Sequence, residues 1–365
     1  MAVIRLTRCF FHRIELVPVQ ERLIPAQETT CACMGMNPCP VRVRQPHRQH
    51  RIIHQSRIAM QIIRDTNEFV SPGETAVSIG KFDGIHLGHR RLLEELLDQK
   101  EKGLLATVFT FDPYPEIFFG FGSPKMLTTR EEKREIFEKM GIDILVEFPF
   151  NAKSAATPSR DFVKRFLCSH LRARFIAAGP DLSFGDHGRG NFALLEEMAP
   201  EYGFRAKKIE KVVMDDNIIS STLIRRLIET GEVTTAARYL GEPYMVRGTI
   251  VHGRALGRRI GIPTLNQTPP EDKLLPPFGV YYSDVLIGDR KYCGMTNIGV
   301  KPTVSDEKRV TVETYLYDFE GDIYGETATV QLLTHRRPEM KFSSVDELKR
   351  TMEQDILAGR EYHGI

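Results

Sequence analysis

No apolar run in this 365-residue chain is long enough to cross a bilayer. The runs present are strand-length, which sets aside a membrane-spanning role. The body of the chain also lacks a disulfide framework. Four of its six cysteines, Cys9, Cys31, Cys33 and Cys39, crowd into the first stretch, and only Cys168 and Cys293 remain beyond it. That usage suits a reducing compartment, so a cytoplasmic protein is expected. The CACMGMNPC segment has no second well-spaced ligand pair, which leaves its thiols without the pattern of a zinc site. A Gly-x-x-x-x-Gly-Lys-Ser/Thr loop is missing as well, which excludes the common P-loop route to kinase chemistry.

Lysine is absent from residues 1–59, which carry nine arginines and three acidic residues, a balance of +6. The remaining 306 residues hold 41 basic and 45 acidic groups, a mildly acidic body that gives no encouragement to nucleic-acid binding. The first stretch shows no sustained period and mixes Arg, His and Gln without an apolar face. An Arg-rich, acid-poor leader can be a transit peptide, but the prolines, the cysteines and the lack of an amphipathic helix argue against one. The absence of Lys beside a Lys-rich body favours a misplaced start, with Met60 as the first true residue. Disorder is expected over residues 1–59 in either case.

The chain is long enough for about two domains, at 41% hydrophobic and 27% charged residues. From Ala76 to Gly179, the strand candidates AVSI, LLATVFTF, IDILVEF and RFIAAG alternate with the helical patterns TREEKREIFEKM and SRDFVKRFLCSHL. This alternation predicts an α/β domain whose parallel sheet is covered on both faces. NFALLEEMAPEY, STLIRRLIET and VTTAARYLG add helices. Near Gly241 the grammar changes to YMVRGTIVHG, GVYYSDVLI, KYCGMTNIG, VTVETYLYDF and ETATVQLLT, strands separated by Gly, Pro and Asp turns. A closed or nearly closed antiparallel barrel follows from these, ending in the helix SSVDELKRTMEQDILAG with Ser343 or Ser344 as N-cap. The domains are therefore expected at 60–241 and 242–365.

GKFDGIHLGH, residues 80–89, stands where a strand hands over to a helix. Gly80 and Gly84 let backbone approach a ligand closely, and His86 and His89 share one face of the incipient helix. With the unpaired N–H groups of a helix start, the two imidazoles make a compact phosphate site. The competing reading is a glycine-rich turn with capping residues. Asp83, Gly84 and Gly88 around the pair weaken it, since core packing does not require that composition. The spacing also misses His-Glu-x-x-His, so a hydrolytic zinc site is disfavoured.

GKFDGIHLGH resembles the nucleotide-binding signature of the bifunctional bacterial riboflavin kinase/FMN adenylyltransferase, or FAD synthetase, family. GPDLSFGDHGRGN (179–191) is similar to that family's flavin-side loop, and ISSTLIR (219–225) to its second nucleotide signature. The resemblance spans roughly residues 70–360 and implies a nucleotidylyltransferase-type Rossmann-like domain followed by a riboflavin kinase barrel. It implies that Gly80, Phe82, Asp83, Gly84, Ser221, Thr222 and Arg225 contact ATP, and that His86 and His89 hold its phosphates. Asp181 is expected on the flavin or metal side, or as an organiser of its own loop. The chain departs from the family in having Tyr114 where a His commonly stands between prolines, and Leu182 where an aromatic often follows the loop Asp.

VHGRALGRRIGIPTLN, NIGVKPT, VETYLYDF and RRPEMKF resemble the kinase domain. Gly253, Gly257 and Gly261 would let a mobile backbone close around polyphosphate. Thr264 and Asn266 alternate along an extended segment and offer hard oxygen ligands for Mg2+, while Leu265 should face the core. Taken alone, PTLN is a turn, and Glu313 in TVETYLYDF is an ordinary surface carboxylate. The resemblance implies instead that Thr264 and Asn266 serve ATP-bound Mg2+, that Glu313 is base for the riboflavin 5′-hydroxyl, and that Arg337 lies near the flavin end. The expected activity is riboflavin phosphorylation to FMN, then AMP transfer from ATP to FMN, giving FAD and pyrophosphate. The expected partners are flavins and Mg-ATP, with no nucleic acid and no membrane. Two alternatives stay open: a kinase with weak or lost adenylyltransferase, and a flavin-binding regulator without turnover.

Overall fold

The computed structural model describes residues 59–121, 123–253, 261–302 and 308–365. The expectations for the leader and for Gly257 lie outside the described residues. Strands β1 (Gln61–Arg64), β2 (Thr75–Ile79), β3 (Leu105–Asp112), β4 (Ile144–Pro149), β5 (Ala173–Ala178) and β6 (Arg205–Lys208) form one parallel sheet in the order β1-β4-β3-β2-β5-β6. All five residues of β2 are buried, as a strand covered on both faces requires. Between the strands lie α1 (Leu87–Lys100), the short α2 (Pro115–Phe118), α3 (Arg130–Met140), the single turns α4 (Ala152–Ala155) and α5 (Ser159–Phe162), and α6 (Phe192–Tyr202).

β1 escaped sequence reading because QIIR is four residues long and buries only Ile63, too little for a period to show. The segment SRDFVKRFLCSHL is also not one α-helix. After α5 it widens into a π-helix over Val163–His170, turning Val163, Phe166 and Leu167 into the core. Successive connections from β2 run through β3 and β4 on one side and return to β5 on the other. The crevice at the carboxyl ends of β2 and β5 is thus a topological switch point, where open α/β sheets bind ligands.

Beyond the short hairpin β7 (Val213–Met214) and β8 (Asn217–Ile218), two helices follow: α7 (Ser221–Glu229) and α8 (Val233–Leu240). Next come β9 (Tyr244–Val251), β10 (Leu265–Gln267), β11 (Gly279–Ile287), β12 (Arg290–Pro302), β13 (Lys308–Leu316) and β14 (Thr327–Pro338), closed into a barrel in the order β10-β13-β12-β11-β14-β9. Its interior holds Val246, Ile250, Leu265, Tyr281, Ile298 and Val312 among others. Leu265 does face the core.

Helix α9 (Val345–His363) covers the outer face of β11 and β12, which explains why β11 is buried on both sides. Ser344 is its N-cap, accepting from the Glu347 N–H at 3.1 Å. Gly359 permits the closest approach, because a Cβ there would stand 1.9 Å from the Tyr317 hydroxyl. Both the sheet and the barrel fall within one compact unit, Ser56–Ile365.

Candidate functional site

The loop Gly80–His86 leaves β2 at the switch point and is conformationally demanding. Phe82 and Ile85 adopt φ of 52° and 41°, unusual for side chains of that size. Both are fully buried, so packing holds them there. His86 caps α1, its Nδ1 accepting the His89 N–H at 3.3 Å, so its own proton resides on Nε2. The two imidazoles stack at 3.8 Å between centroids, and His89 leans on Phe82 at 5.1 Å. Burial pulls the His86 pKa down to about 4. His89 falls well below the usual range through burial and then the positive neighbours His86, Lys133 and Lys81. Both rings are neutral at pH 7, so each can offer a ring N–H as a hydrogen-bond donor but no positive charge.

The cation comes from α3. Lys133 is buried, and its Nζ donates to the Tyr114 hydroxyl and to the Lys81 carbonyl. Burial lowers its pKa to about 8, with Asp83 the largest opposing influence. Tyr114 stands at the N-cap position of the short α2 without a capping bond from its side chain, and burial above all raises its hydroxyl well out of the usual range. The tyrosine standing where an imidazole was expected is therefore a neutral anchor for a buried ammonium.

Asp83 is buried and saturated with hydrogen bonds. Its Oδ1 accepts from Leu127 N at 2.8 Å, its Oδ2 from Arg225 Nη2 at 2.8 Å, and its carbonyl from Ser221 Oγ at 2.8 Å. The structure thus gathers Asp83, Gly84, Ser221 and Arg225 at the motif loop, but Asp83 spends its oxygens on protein donors. Arg225 also donates to the Lys125 carbonyl at 2.8 Å. Ser220 caps α7, leaving Thr222 exposed in the first turn.

Beside the switch point lies a cavity of about 630 Å³ whose walls include eight phenylalanines, from Phe111 to Phe184. Phe118, Phe119 and Phe121 remain 40%, 56% and 76% exposed around it, an apolar surface suited to a flat aromatic ligand. Ser183, Gly185, Asp186, His187 and Gly188 of the 179–191 loop line the same space. Asp181 does not: its side chain points out and pairs with Lys211 at 2.5 Å, while Leu182 packs against the core. Asp181 therefore stands outside the cavity lining, as an exposed carboxylate paired with Lys211.

The barrel presents a different kind of site. Register pairs Asn266 with Glu313, Glu313 with Asn297, Asn297 with Val280, and Val280 with Arg337. Directly paired residues share a face, so Asn266, Glu313, Asn297 and Arg337 form one row across the outside of the barrel. Strands about 4.8 Å apart put Glu313 roughly 14 Å from Arg337 along the row. Arg337 donates to Asp355 of α9 at 2.7 Å, which fixes the far end.

At the near end the Gly253 backbone abuts Asn266, where a Cβ would lie 2.5 Å from the amide nitrogen. Thr264 lines a cavity of about 430 Å³ that also includes Phe319 and Tyr324. Gly261 turns the chain toward Thr264 with φ of 80°. A threonine hydroxyl, an asparagine amide and a carboxylate in this arrangement fit a hard cation such as Mg2+.

Two family profiles divide the chain between them: FAD synthetase matches residues 69–223 and riboflavin kinase residues 240–363. The bifunctional riboflavin kinase/FMN adenylyltransferase of Escherichia coli K12 is 36% identical over 311 residues, covering 84% of this chain and 99% of that protein. The Listeria monocytogenes enzyme of the same name is 36% identical over 282 residues, 76% of this chain and 89% of its own. The chain belongs to the bifunctional riboflavin kinase/FMN adenylyltransferase family. A crystal structure from Streptococcus pneumoniae described as a macrolide-efflux protein shares the fold, with a TM-score of 0.73 and 30% identity over 83% of this chain and 99% of that one. Among the described residues here, no helix is long and apolar enough to cross a membrane.

For a member of this family, sequence reading missed Lys133 and Asn297. Lys133 reads as one more charge in TREEKREIFEKM. The available signal was its place three and four residues before Ile136 and Phe137, on the apolar face of the helix. Asn297 lies inside the NIGVKPT motif, and only strand register shows it opposite Glu313.

Proposed function

We propose that the chain phosphorylates riboflavin in its barrel half, residues 242–365, and adenylylates FMN in its sheet half, residues 60–241. The carrying observation is that the two halves hold separate and chemically different constellations. One is a neutral histidine pair with a buried lysine beside an aromatic cavity. The other is an Asn266–Glu313–Arg337 row in strand register.

In the sheet half, a phosphate oxygen of FMN attacks the α-phosphorus of ATP. One P–O bond forms as the α–β bridge breaks, and pyrophosphate leaves. His86 and His89 donate hydrogen bonds to the phosphates at the N-terminus of α1, and the Lys133 ammonium offsets charge gathering in the transition state. The phenylalanine cavity takes the flavin ring, orienting FMN for in-line attack. Asp83 and Arg225 hold the loop rather than the reacting atoms.

In the barrel half, Glu313 accepts the proton of the riboflavin 5′-hydroxyl as that oxygen attacks the γ-phosphorus, and ADP leaves. Thr264 and Asn266 would hold the magnesium ion that accompanies ATP, which supplies charge neutralisation between two anionic reactants. Arg337, braced by Asp355, marks the flavin end of the row. The free thiols Cys168 and Cys293 suit action in the reducing cytoplasm.

The test is a time course with riboflavin and Mg-ATP that follows FMN, FAD, ADP and pyrophosphate together. FMN with ADP should appear first, then FAD with pyrophosphate. A folded preparation that converts neither riboflavin nor FMN overturns the reading.

A further inference from the structure

Among the described residues, a fully buried ion pair joins the two halves of the molecule. Lys273, in the connection between β10 and β11 of the barrel, has a side chain that is 0% exposed, and so has Glu132 of α3. Their Nζ–Oε2 separation is 2.6 Å. Glu132 also accepts from the Arg247 N–H of β9 at 3.0 Å and from the Thr129 N–H at 2.9 Å. Lys273 lies 4.2 Å above the ring of Tyr244, and its Nζ donates to the Leu127 carbonyl at 2.7 Å. A charge pair taken wholly out of water recovers little net stability compared with apolar residues of the same volume. Its worth lies in what it holds in place.

What it holds is the 126–128 segment. On one edge that segment pairs with the barrel half: Met126 N–H donates to the Asp272 carbonyl at 2.6 Å, and Leu274 N–H to the Met126 carbonyl at 2.8 Å. On the other edge it grips the phosphate loop. Leu127 N–H donates to Asp83 Oδ1 at 2.8 Å, and the Gly84 N–H donates to Thr128 Oγ1 at 3.0 Å. Asp83 in turn fixes Arg225 of α7. Every bond from Lys273 to Arg225 is buried or partly buried, and the path reaches the loop carrying His86.

We infer that Lys273 is a positioning residue for the adenylyl-transfer site, so that the barrel half completes the phosphate loop of the sheet half through Leu127 and Asp83. This rests on the assignment of adenylyl transfer to the sheet half. Without the ammonium, the Leu127 carbonyl loses its donor, the 126–128 segment relaxes, and Asp83 and Gly84 lose the partners that set the loop. Riboflavin phosphorylation, at the outer row of the barrel, is untouched.

The test uses the full chain carrying Lys273→Met. It also uses the Lys273→Met/Glu132→Gln double variant, which leaves no buried charge unpaired and carries the comparison if the single variant does not fold. Two readouts are taken: amide hydrogen exchange, and both activities with separate kcat and KM for ATP. The relay predicts faster exchange at Gly84 and Leu127 with the barrel strands still protected. FAD formation from FMN should fall by roughly 10²-fold in kcat/KM, as for a misplaced reacting group, while FMN formation is unchanged. Wild-type protection at Gly84 and Leu127, or equal loss of both activities, overturns it. A wild-type chain that made no FAD, while its variant still showed the exchange change, would sink the adenylyl-transfer reading and leave the relay standing.

Discussion

The two candidate sites are built from opposite materials. The sheet half gathers its groups from loops and helix starts that meet at the carboxyl end of a parallel sheet. It depends on burial: two histidines are kept neutral, one lysine is kept buried, and an aspartate is consumed in holding the loop. The barrel half sets its groups in a row whose spacing follows from strand register, on the outer face of a closed sheet. Burial tunes the first site, and strand register sets the spacing of the second. Damage should therefore spread differently in each.

The largest effect is expected at the second site. Glu313→Gln keeps the shape and removes the proposed base, so riboflavin phosphorylation should fall by roughly 10²–10⁴-fold. FAD formation from supplied FMN should persist, and loss of both would join two sites held here to be independent. Next, His86→Ala or His89→Ala should lower FAD formation by roughly 10²–10³-fold, the cost of one oriented donor, and spare FMN formation.

Titration sharpens the contrast further. With both histidines neutral, FAD formation should show no inflection from them between pH 6 and 7. It should decline as pH rises through about 8, where Lys133 loses its proton. In Lys133→Met that alkaline limb should vanish along with much of the rate. Retention of the limb would assign it to another group.

Stability tracks the same burial. The folded-state pKa of His86 lies below its unfolded value, so as pH falls below 6.5 the unfolded chain takes up a proton that the folded chain refuses. Stability is thus lost as pH falls from about 6.5 to about 4, by up to roughly 3 kcal/mol for this one ring. Denaturant midpoints at pH 7 and pH 5 should converge in His86→Gln. The smallest effect is expected at Ser344→Ala, which removes the α9 cap and should cost about 1 kcal/mol in a urea titration with both activities unchanged.

The same contrast explains what could be seen before any coordinates. Strand and helix periods exposed the alternating sheet half, most of the barrel and the terminal helix, since β2–β5, β9 and β11–β14 are long enough to show a pattern, whereas the three-residue β10 is not. Four-residue β1 buries one side chain and left no period to detect. Glycine and histidine at a strand–helix junction marked the phosphate loop, because those residue types are costly elsewhere. Lys273 was illegible because a lysine in a connecting segment carries no sign of burial, and only its partner Glu132, distant in the chain, reveals it. Lys133 left one sign, its place on the apolar face of α3, but its partner Tyr114 could not be read from that. For Asp181 the sequence could not tell which side of its loop the carboxylate faces; the structure shows it exposed and paired with Lys211.

Mixing the two crippled chains tests the central claim most directly. Glu313→Gln and His89→Ala proteins would each be given riboflavin and Mg-ATP, alone and together. Separate sites predict that neither alone makes FAD, that His89→Ala stops at FMN, and that the mixture makes FAD from FMN released into solution. Absence of FAD from the mixture, with both proteins folded, would contradict the account.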